Sequence, residues 1–270
     1  MTHYRNGNMT MSLLNRILKT KRMEIIRRKI IHPVRRFNID FSASNKDFIG
    51  AIRKPGLSII AEIKRQSPSA GLMREIFDPL AIAKAYELNQ ADGLSILTDQ
   101  HFFGGSCSQL AQIKDAIRIP VLRKDFIIDE YQIYESKAVG ADAILLIVRL
   151  LGSKTLKQFL ALAEKLDLDC LVEVHSLEEI RVALDAGITL IGINNRDLDT
   201  LRVDINLSSK LKKYIPDDVL AISESGIRNV DHIQSICDIG FDGVLIGESF
   251  MQSDDPDRLL QSFKSHSRIR

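Results

Sequence analysis

The sequence predicts an α/β protein, a closed (β/α)8 (TIM) barrel with an N-terminal helical extension, on three observations. The chain has 270 residues and is 45% hydrophobic, which suits one large domain with a single core. Eight short apolar runs rich in β-branched residues follow one another, at 57–63, 93–97, 119–122, 142–148, 169–174, 189–193, 219–222 and 242–246. Stretches with helical periodicity separate them, for example at 79–90, 106–117, 153–166, 176–186 and 229–239.

The strands and their turns indicate a closed barrel rather than an open sheet. The eight runs are apolar almost without interruption, as expected of parallel strands covered on both faces. Ser176 and Glu179 have the spacing of a capping box, which marks a helix start. Gly140, Gly187 and Gly240 stand where helices end, since glycine adopts the left-handed cap conformation. No G-x-G-x-x-G turn follows the first strand, which disfavours a dinucleotide-binding sheet.

Residues 1–56 are predicted to form the helical extension and residues 57–270 the barrel, within a single domain overall. Between residues 16 and 36, nine Lys and Arg accompany one Glu, whereas the whole chain has a formal net charge of +2. Apolar residues recur at helical spacing between these charges, so an amphipathic helix is the preferred interpretation. A basic arm for nucleic acid is the alternative, although no aromatic side chain lies among the charges to stack on bases.

Composition predicts a cytoplasmic protein with neither a membrane span nor a disulfide framework. The longest apolar stretch, near residues 143–148, is far shorter than the roughly 20 residues of a membrane helix. The N-terminus lacks the apolar segment and small-residue cleavage site of a secretion signal. The three cysteines, Cys107, Cys170 and Cys237, are far apart, which argues for buried packing rather than disulfides or a metal cluster.

Chemistry in such barrels lies at the carboxyl ends of the strands, and those ends are unusually polar in this chain. Alternation along a strand puts Glu62 and Lys64 on one face, and likewise Leu171, Glu173 and His175. We expect the charged side chains to line the mouth, the end of the barrel where the strands finish. Burying charges there is costly unless they pair with opposite charges or take part in catalysis, so these charged strand-end side chains together indicate a catalytic site.

The last two strands end in sequences suited to phosphate binding. Ser225 and Gly226 follow the seventh strand, and a Gly-Glu-Ser run at 247–249 follows the eighth. Backbone N–H groups exposed at such turns bind phosphate oxygens, which is the usual phosphate position in this fold. Arg196, after the sixth strand, would add a cation. Under the alternative interpretation the glycines serve backbone geometry alone.

Motifs at the strand ends occur in a characteristic order. They are IAEIKRQSPS (60–69), LTD (97–99) with FFGGS (102–106), LRKDF (122–126), LVEVH (171–175), IGINNRDL (191–198), SESGI (223–227) and LIG (245–247). Over residues 13–263 they resemble the signature of the indole-3-glycerol-phosphate synthase family. Departures are minor: Gln66 stands where a small or basic residue is usual, and Arg149 occupies a variable position after the fourth strand.

The resemblance implies a carboxy-lyase (a decarboxylating lyase) of tryptophan biosynthesis, built as a (β/α)8 barrel with an extra N-terminal helical segment. The substrate would be 1-(2-carboxyphenylamino)-1-deoxyribulose 5-phosphate, and the products indole-3-glycerol phosphate, CO2 and water. The reaction closes a ring between the aryl carbon that bears the carboxylate and the ribulose C2′ carbonyl. It requires a general acid, a cation for the carboxylate and a base that restores aromaticity. The family needs no metal or organic cofactor.

The resemblance also assigns roles to individual residues. Lys124 would be the acid of ring closure, and Glu173 the carboxylate that works with it in proton transfer. Lys64 would hold the substrate carboxylate and serve as acid in dehydration, oriented and kept charged by Glu62; the division of labour between the two lysines stays open. The aminoribulose and anthranilate portions would contact Asn194 and Ser225, with Glu224 alongside. The phosphate would be bound by Ser67, Arg196, Gly226, Gly247, Glu248 and Ser249.

Three further expectations concern residues around the predicted site. His175 is a candidate base because histidine titrates near neutrality, but a packing position beneath the mouth is preferred. His101 is placed in a mobile second loop. Residues 65–78 are rich in turn residues and have no apolar periodicity, which predicts a mobile loop over the site.

Three rival functions stay open. A strand-end lysine would serve a Schiff-base aldolase, although the neighbouring carboxylates favour its protonated form. A nucleic-acid-binding protein would use the basic segment. Phosphoribosylanthranilate isomerase would need a catalytic cysteine and aspartate, and no strand-end cysteine is suitably placed. The expected partner is a phosphorylated small molecule, not nucleic acid or a membrane, and the expected state a monomer or weak homodimer.

Overall fold

The computed structural model describes residues 11–39 and 46–267, and eight parallel strands there form a closed barrel. The strands are β1 (Ser58–Ile63), β2 (Gly93–Leu97), β3 (Val121–Lys124), β4 (Ala143–Ile147), β5 (Asp169–Val174), β6 (Leu190–Asn194), β7 (Leu220–Glu224) and β8 (Gly243–Ile246). Each strand pairs with the next along the chain, and β8 pairs with β1 to close the ring. The predicted (β/α)8 barrel is confirmed.

Helices precede the barrel and connect its strands. They are α1 (Leu13–Ile31), α2 (Phe48–Ile52), α3 (Pro79–Leu88), α4 (Gln100–Phe103), α5 (Cys107–Ala116), α6 (Glu130–Ala138), α7 (Val148–Lys165), α8 (Leu177–Asp185), α9 (Asn206–Lys212), α10 (Val230–Ile239), α11 (Glu248–Gln252) and α12 (Pro256–His266). The Ser176 hydroxyl accepts the Glu179 N–H, so α8 begins where the capping box predicts. Helix α7 is interrupted at Gly152, which has a φ of 65°.

The third strand differs from its predicted span. It was expected at 119–122, whereas β3 runs from Val121 to Lys124 and contains the charged Arg123. Arg123 is fully buried because its guanidinium donates to the Gln132 carbonyl at 3.1 Å and to Glu135 at 2.7 Å. Hydrogen bonding of that kind offsets the cost of burying a charge within a strand, which an apolar pattern does not reveal.

Strand register brings the polar strand ends to one level of the barrel. Directly paired residues there are Leu97 with Lys124, Ile147 with Glu173, and Asn194 with Glu224. Because these side chains come from neighbouring strands at the same height, those with inward orientation share one cavity.

Helix α2 closes the opposite end of the barrel. Phe48 is fully buried in the same apolar cluster as the inward-facing Ile60 and Leu171. The N–H groups of Phe48 and Ile49 donate to Asp169 Oδ2 at 3.0 and 3.1 Å. The start of β5 therefore satisfies free backbone donors at the first turn of α2 and fixes the helix beneath the barrel.

The basic segment forms the predicted helix, but its apolar residues do not all pack. Leu14, Ile17, Lys21 and Ile25 are buried, at the three- and four-residue spacing of one helix face. Exposed apolar side chains include Met23, Ile26, Ile30 and Ile31. A lysine thus belongs to the packed face, because carboxylates on the barrel pair with it.

The loop after β1, residues 65–78, has structure that the sequence did not predict. Gln66–Ser67 pairs with Gly71–Leu72 in a short antiparallel hairpin. Arg74 donates to the backbone carbonyls of Met251 at 3.0 Å and Ser253 at 3.2 Å, which ties this loop to the segment after β8. His101 was expected in a loop but lies in α4, with its ring edge-on to Phe102.

The cysteines and helices bear on two expectations from composition. All three cysteines are free; Cys237 is buried, and Cys107 and Cys170 are half-buried. Within the described residues, every helix is too short or too polar to span a membrane.

Candidate active site

A pocket opens at the carboxyl ends of the barrel strands. It brings together twelve of the predicted site residues: Glu62, Lys64, Lys124, Glu173, Asn194, Arg196, Glu224, Ser225, Gly226, Gly247, Glu248 and Ser249. Ser67 is the exception, because it lies in the hairpin after β1 with its hydroxyl bonded to the Ala70 N–H at 3.2 Å. The residues singled out at the mouth thus share one cavity.

Strand β1 supplies a lysine and carboxylate pair. Lys64 Nζ donates to Glu62 Oε1 at 2.7 Å, and both side chains are mostly buried. The second oxygen of Glu62 accepts from Ser95 on β2 at 3.5 Å. This hydrogen bond holds the Lys64 ammonium against Glu62 at the mouth of the barrel.

Lys124, at the end of β3, lies between two carboxylates. Its Nζ is 2.8 Å from Glu173 Oε2 on β5 and 2.8 Å from Glu224 Oε2 on β7. All three side chains are largely buried, with the ammonium the most accessible at 12% exposure. The cluster spans the barrel, since β3, β5 and β7 are alternate strands whose side chains occupy one layer.

Burial and charge act in opposite directions on these three groups. Burial alone would lower the pKa of Lys124, but Glu173 and Glu224 outweigh it and raise that pKa above its usual range. Burial would raise the pKa of Glu173, but Lys124 and His175 lower it. Burial and the nearby Glu173 raise the pKa of Glu224 to about 7, despite Lys124. The cluster at neutral pH therefore holds a protonated lysine, an ionised Glu173 and a partly protonated Glu224.

His175 lies behind Glu173 rather than in the pocket lining. Its Nε2 is 3.4 Å from Glu173 Oε1, and its Nδ1 is 3.4 Å from Glu179 Oε2. The side chain is only 4% exposed. The expected position beneath the mouth is confirmed, with a direct approach to a predicted catalytic carboxylate in addition.

The predicted phosphate end of the pocket contains an ion pair. Arg196 Nη2 is 2.7 Å from Glu248 Oε2, and Arg228 Nη2 is 3.7 Å from the other oxygen of Glu248. Ser225 and Gly226 both have left-handed backbone, with φ of 67° and 83°. A β-carbon on Gly226 would meet Val203 at 2.7 Å, so this turn requires glycine for space as well as conformation.

Two glycines make room for the carboxylates, and the sequence analysis assigned such a role to neither. A β-carbon on Gly192 in β6 would lie 2.1 Å from Glu224 Oε1. One on Gly247 would lie 2.5 Å from Glu62 Oε1. Glycine inside a parallel strand is unfavourable on its own, and that is the signal by which Gly192 could have been found.

An apolar wall completes the pocket. It is formed by Leu97, Phe103, Phe126, Leu145, Ile147, Leu198, Ile227, Leu245 and Ile246. The pocket thus pairs convergent charges with a surface suited to an aromatic ring. Among the residues described, no group of three or more His, Cys, Asp or Glu side chains is arranged to hold a metal ion.

The two departures from the family pattern are accommodated at the rim. Gln66 Nε2 donates to the Phe102 carbonyl at 3.4 Å. Arg149 Nε donates to Glu179 at 3.3 Å, and its Nη1 lies 3.4 Å from Asp199. Neither side chain lines the pocket.

Comparison with known proteins places the chain in a family. The sequence model described as indole-3-glycerol phosphate synthase matches residues 14–263. The chain belongs to the indole-3-glycerol phosphate synthase family. A relative of that name from Thermoanaerobacter pseudethanolicus is 45% identical over 254 residues, which cover 93% of this chain and 97% of that protein. Another, from Chlorobium phaeovibrioides, is 46% identical over 249 residues, covering 91% and 96%.

Solved structures of more distant proteins share the barrel alone. A mandelate oxidase mutant with benzaldehyde superposes with a TM-score of 0.59 at 18% identity, over 78% of this chain and 72% of that one. KGPDC from Streptococcus mutans superposes with a TM-score of 0.61 at 13% identity, over 79% of this chain and 98% of that one. Membership of the indole-3-glycerol phosphate synthase family confirms the resemblance in the motifs and sets aside the aldolase and phosphoribosylanthranilate isomerase alternatives.

Proposed function

We propose that this chain converts 1-(2-carboxyphenylamino)-1-deoxyribulose 5-phosphate to indole-3-glycerol phosphate, CO2 and water, with the pocket residues in the roles given below. The observation that carries the assignment of roles is Lys124 held at 2.8 Å by both Glu173 and Glu224 inside the pocket. An ammonium group kept charged and partly desolvated is suited to protonate a carbonyl oxygen as a bond forms.

The hydrogen bonds of the two lysines support different tasks for them. An ammonium group has three N–H donors. Lys124 donates two of its N–H groups to carboxylates, which leaves one N–H for the C2′ oxygen of the substrate. Lys64 uses one on Glu62, which leaves two for the substrate carboxylate. We therefore assign ring closure to Lys124, and carboxylate binding and then protonation of the departing hydroxyl to Lys64.

The steps return Lys124 and Glu173 to their starting states, and Lys64 recovers its proton from solvent, because loss of CO2 from a carboxylate consumes one proton overall. Lys124 donates a proton to the C2′ oxygen while the aryl carbon attacks, and the carboxylate then leaves as CO2 from contact with Lys64. The new hydroxyl departs as water, and Glu173 removes the proton whose loss restores the aromatic ring. Glu173 and Lys124 lie 2.8 Å apart, so the proton passes back to the lysine over a single hydrogen bond.

The remaining pocket residues bind the two ends of the substrate. The apolar wall, with Phe103 and Phe126, suits the anthranilate ring. Asn194 and Ser225 would hydrogen-bond the aminoribulose chain between the ends. Arg196, Ser67 and the backbone around Gly226 and residues 247–249 would receive the phosphate, which displaces or shares the Arg196–Glu248 ion pair.

The test of these roles is Lys124→Met, a substitution of similar length without charge. We expect kcat to fall by roughly 10²–10⁴-fold, measured by fluorescence of the indole product, with a native circular dichroism spectrum. The matched control is Lys157→Met, which removes a lysine from an exposed ion pair with Asp185 far from the pocket. Most of kcat retained in Lys124→Met would contradict the assigned acid.

Location and assembly are further parts of the proposal. A phosphorylated biosynthetic intermediate is made and used where membranes retain it, so we place the enzyme in the cytoplasm, acting without nucleic acid or membrane. We propose a monomer or weak homodimer. Light scattering over a hundredfold range of concentration measures this, and a tight oligomer at the lowest concentration would contradict it.

A further inference from the structure

His175 is bracketed by two carboxylates on the side of Glu173 that faces away from Lys124. The ring lies two residues after Glu173, and its Nε2 approaches Glu173 Oε1 at 3.4 Å. Its Nδ1 approaches Glu179 Oε2 at the same distance. The three groups form a line from the pocket into the first turn of α8.

The contact between His175 and Glu173 joins two buried atoms that otherwise have no partner. Lys124 occupies Glu173 Oε2, whereas Glu173 Oε1 and His175 Nε2 both lack a hydrogen bond of good geometry within the described residues. Buried polar atoms of this kind are rare and costly. Only the doubly protonated ring donates to both carboxylates at once, so the geometry favours the cation.

Glu179 is fixed where it can hold that cation. Its Oε2 accepts the backbone N–H of His175 at 2.7 Å, and Oε1 accepts from Arg149 at 3.3 Å. The Glu179 N–H donates to the Ser176 hydroxyl, so the capping box determines the position of this carboxylate. Burial lowers the pKa of His175, but Glu179 and Glu173 outweigh it and raise that pKa.

We propose that His175 is a positioning residue that acts through Glu173: as an imidazolium supported by Glu179, it keeps Glu173 ionised and turned toward Lys124. The inference rests on the proposed function, in which Glu173 is the base. It assigns to the capping turn of α8 a second task, that of setting the lower pH limit of the reaction.

The charged groups on every side of Glu173 determine the size of the effect. Lys124 from β3, His175 and the nearby side chain of Asn194 from β6 favour its ionised form. Glu224 from β7 opposes ionisation, as its own raised pKa shows. Glu179 and Arg149 face His175 from the other side, with opposite signs. Loss of the imidazolium leaves Lys124 shared between two carboxylates, so the pKa of Glu173 rises.

The experiment compares pH profiles of kcat for wild type, His175→Gln and Glu179→Gln. Glutamine at 175 keeps a donor near Glu173 without the charge, and glutamine at 179 keeps an acceptor for the His175 N–H. We expect the acidic limb to move up by about one pH unit in both variants, with KM and the rate above pH 8 within about threefold of wild type. The matched control is Glu178→Gln, the same change on an exposed neighbour in the same turn, which should leave the limb in place.

Each outcome decides the inference. If the acidic limb of the pH profile stays in place, or if the rate falls uniformly at all pH values, His175 has only a structural role and the inference is wrong. If a variant fails to fold, nitrogen NMR shifts of the His175 ring in the wild type decide: a doubly protonated ring at pH 7 supports the inference, and a neutral tautomer overturns it. Absence of product with wild type would instead refute the proposed function, so the two failures are distinguishable.

Discussion

Lys21 on α1 is a buried cation outside the pocket whose removal should be costly. Its side chain is only 2% exposed, and its Nζ lies 2.7 Å from Asp99 Oδ2 and 2.9 Å from Asp125 Oδ1. Glu24 on the same helix lies 3.0 Å away. We predict that Lys21→Met, which keeps the length of the side chain, strongly destabilises the protein.

The buried contacts of Lys21 determine how much unfolding free energy the substitution should remove. Breaking a buried ion pair by removing one partner costs about 3–5 kcal/mol, because the other charge stays buried. Asp125 keeps Thr98 at 2.6 Å and Arg123 at 3.2 Å, so the loss falls mainly on Asp99, whose Oδ2 keeps no other hydrogen bond among the described residues. The lower end, about 3 kcal/mol, is therefore expected. For a chain of this size that corresponds to a fall in Tm of about 6–12 °C.

The destabilisation should also depend on pH. Burial would raise the pKa of Asp125, but Lys21 and Arg123 hold it well below its usual range. A carboxyl with a lowered pKa contributes stability above its unfolded pKa, near 4, and loses that contribution as the pH falls toward the folded value. In Lys21→Met the pKa of Asp125 rises, so the difference in Tm from wild type should be full at pH 7 and smaller at pH 3, which lies below the unfolded pKa.

Calorimetry of wild type and variant at both pH values checks this, alongside urea unfolding. The matched control is Lys29→Met on the same helix, whose ion pair with Asp129 at 2.8 Å is exposed. Such pairs contribute about 0–1 kcal/mol. Equal losses in the two variants, or a loss in Lys21→Met that is as large at pH 3 as at pH 7, would refute the reasoning.

Other predictions concern the pocket and its loop. Arg196→Ala should raise KM far more than it lowers kcat, and inorganic phosphate should compete with substrate at tens of millimolar; steady-state kinetics measure both. Arg74→Ala frees the loop after β1 from the segment after β8, so the dependence of kcat on solvent viscosity should weaken if loop opening limits turnover. Glu224→Gln should raise stability by on the order of 1–3 kcal/mol at pH 8, because it removes a carboxylate whose ionised form is disfavoured by burial and by Glu173. That gain should disappear near pH 5, where Glu224, with its pKa of about 7, is already protonated; thermal unfolding at the two pH values tests it.

The barrel and its charged strand ends were predictable because local patterns determine them. Alternation along β1 puts Glu62 and Lys64 on one face, and the structure joins them by a 2.7 Å hydrogen bond. The pairing of Lys124 with Glu173 was expected from the family resemblance, and the register of the closed barrel brings those strand ends together. In a closed barrel the number, stagger and tilt of the strands are linked, and inward-facing residues alternate along each strand. The sequence pattern is therefore enough to predict which side chains reach the interior.

Features that depend on contacts between distant segments were not predictable. Lys21 belongs to an apolar face because Asp99 and Asp125 arrive from the barrel, which helical periodicity does not show. Glu248, expected to contribute through its backbone, places its carboxylate on Arg196. Gly71 has a φ of 67° in the hairpin after β1, so replacing it with proline, which the turn-rich sequence suggests as a way to stiffen the loop, would break the turn.

The alternation in β3 explains how Lys124, the proposed acid, is supported from outside the barrel. Lys124 points into the pocket, so Arg123 occupies the opposite face of β3, and Asp125 follows directly after the strand. There Arg123 is anchored by Glu135 at 2.7 Å, and Asp125 by Lys21 at 2.9 Å. Those two partners lie on α6 and α1, so the end of β3 is held by charge-assisted hydrogen bonds on both sides of Lys124. A proton donor must be held close to its productive position, so under the proposed function α1 supports the chemistry although none of its described residues lines the pocket.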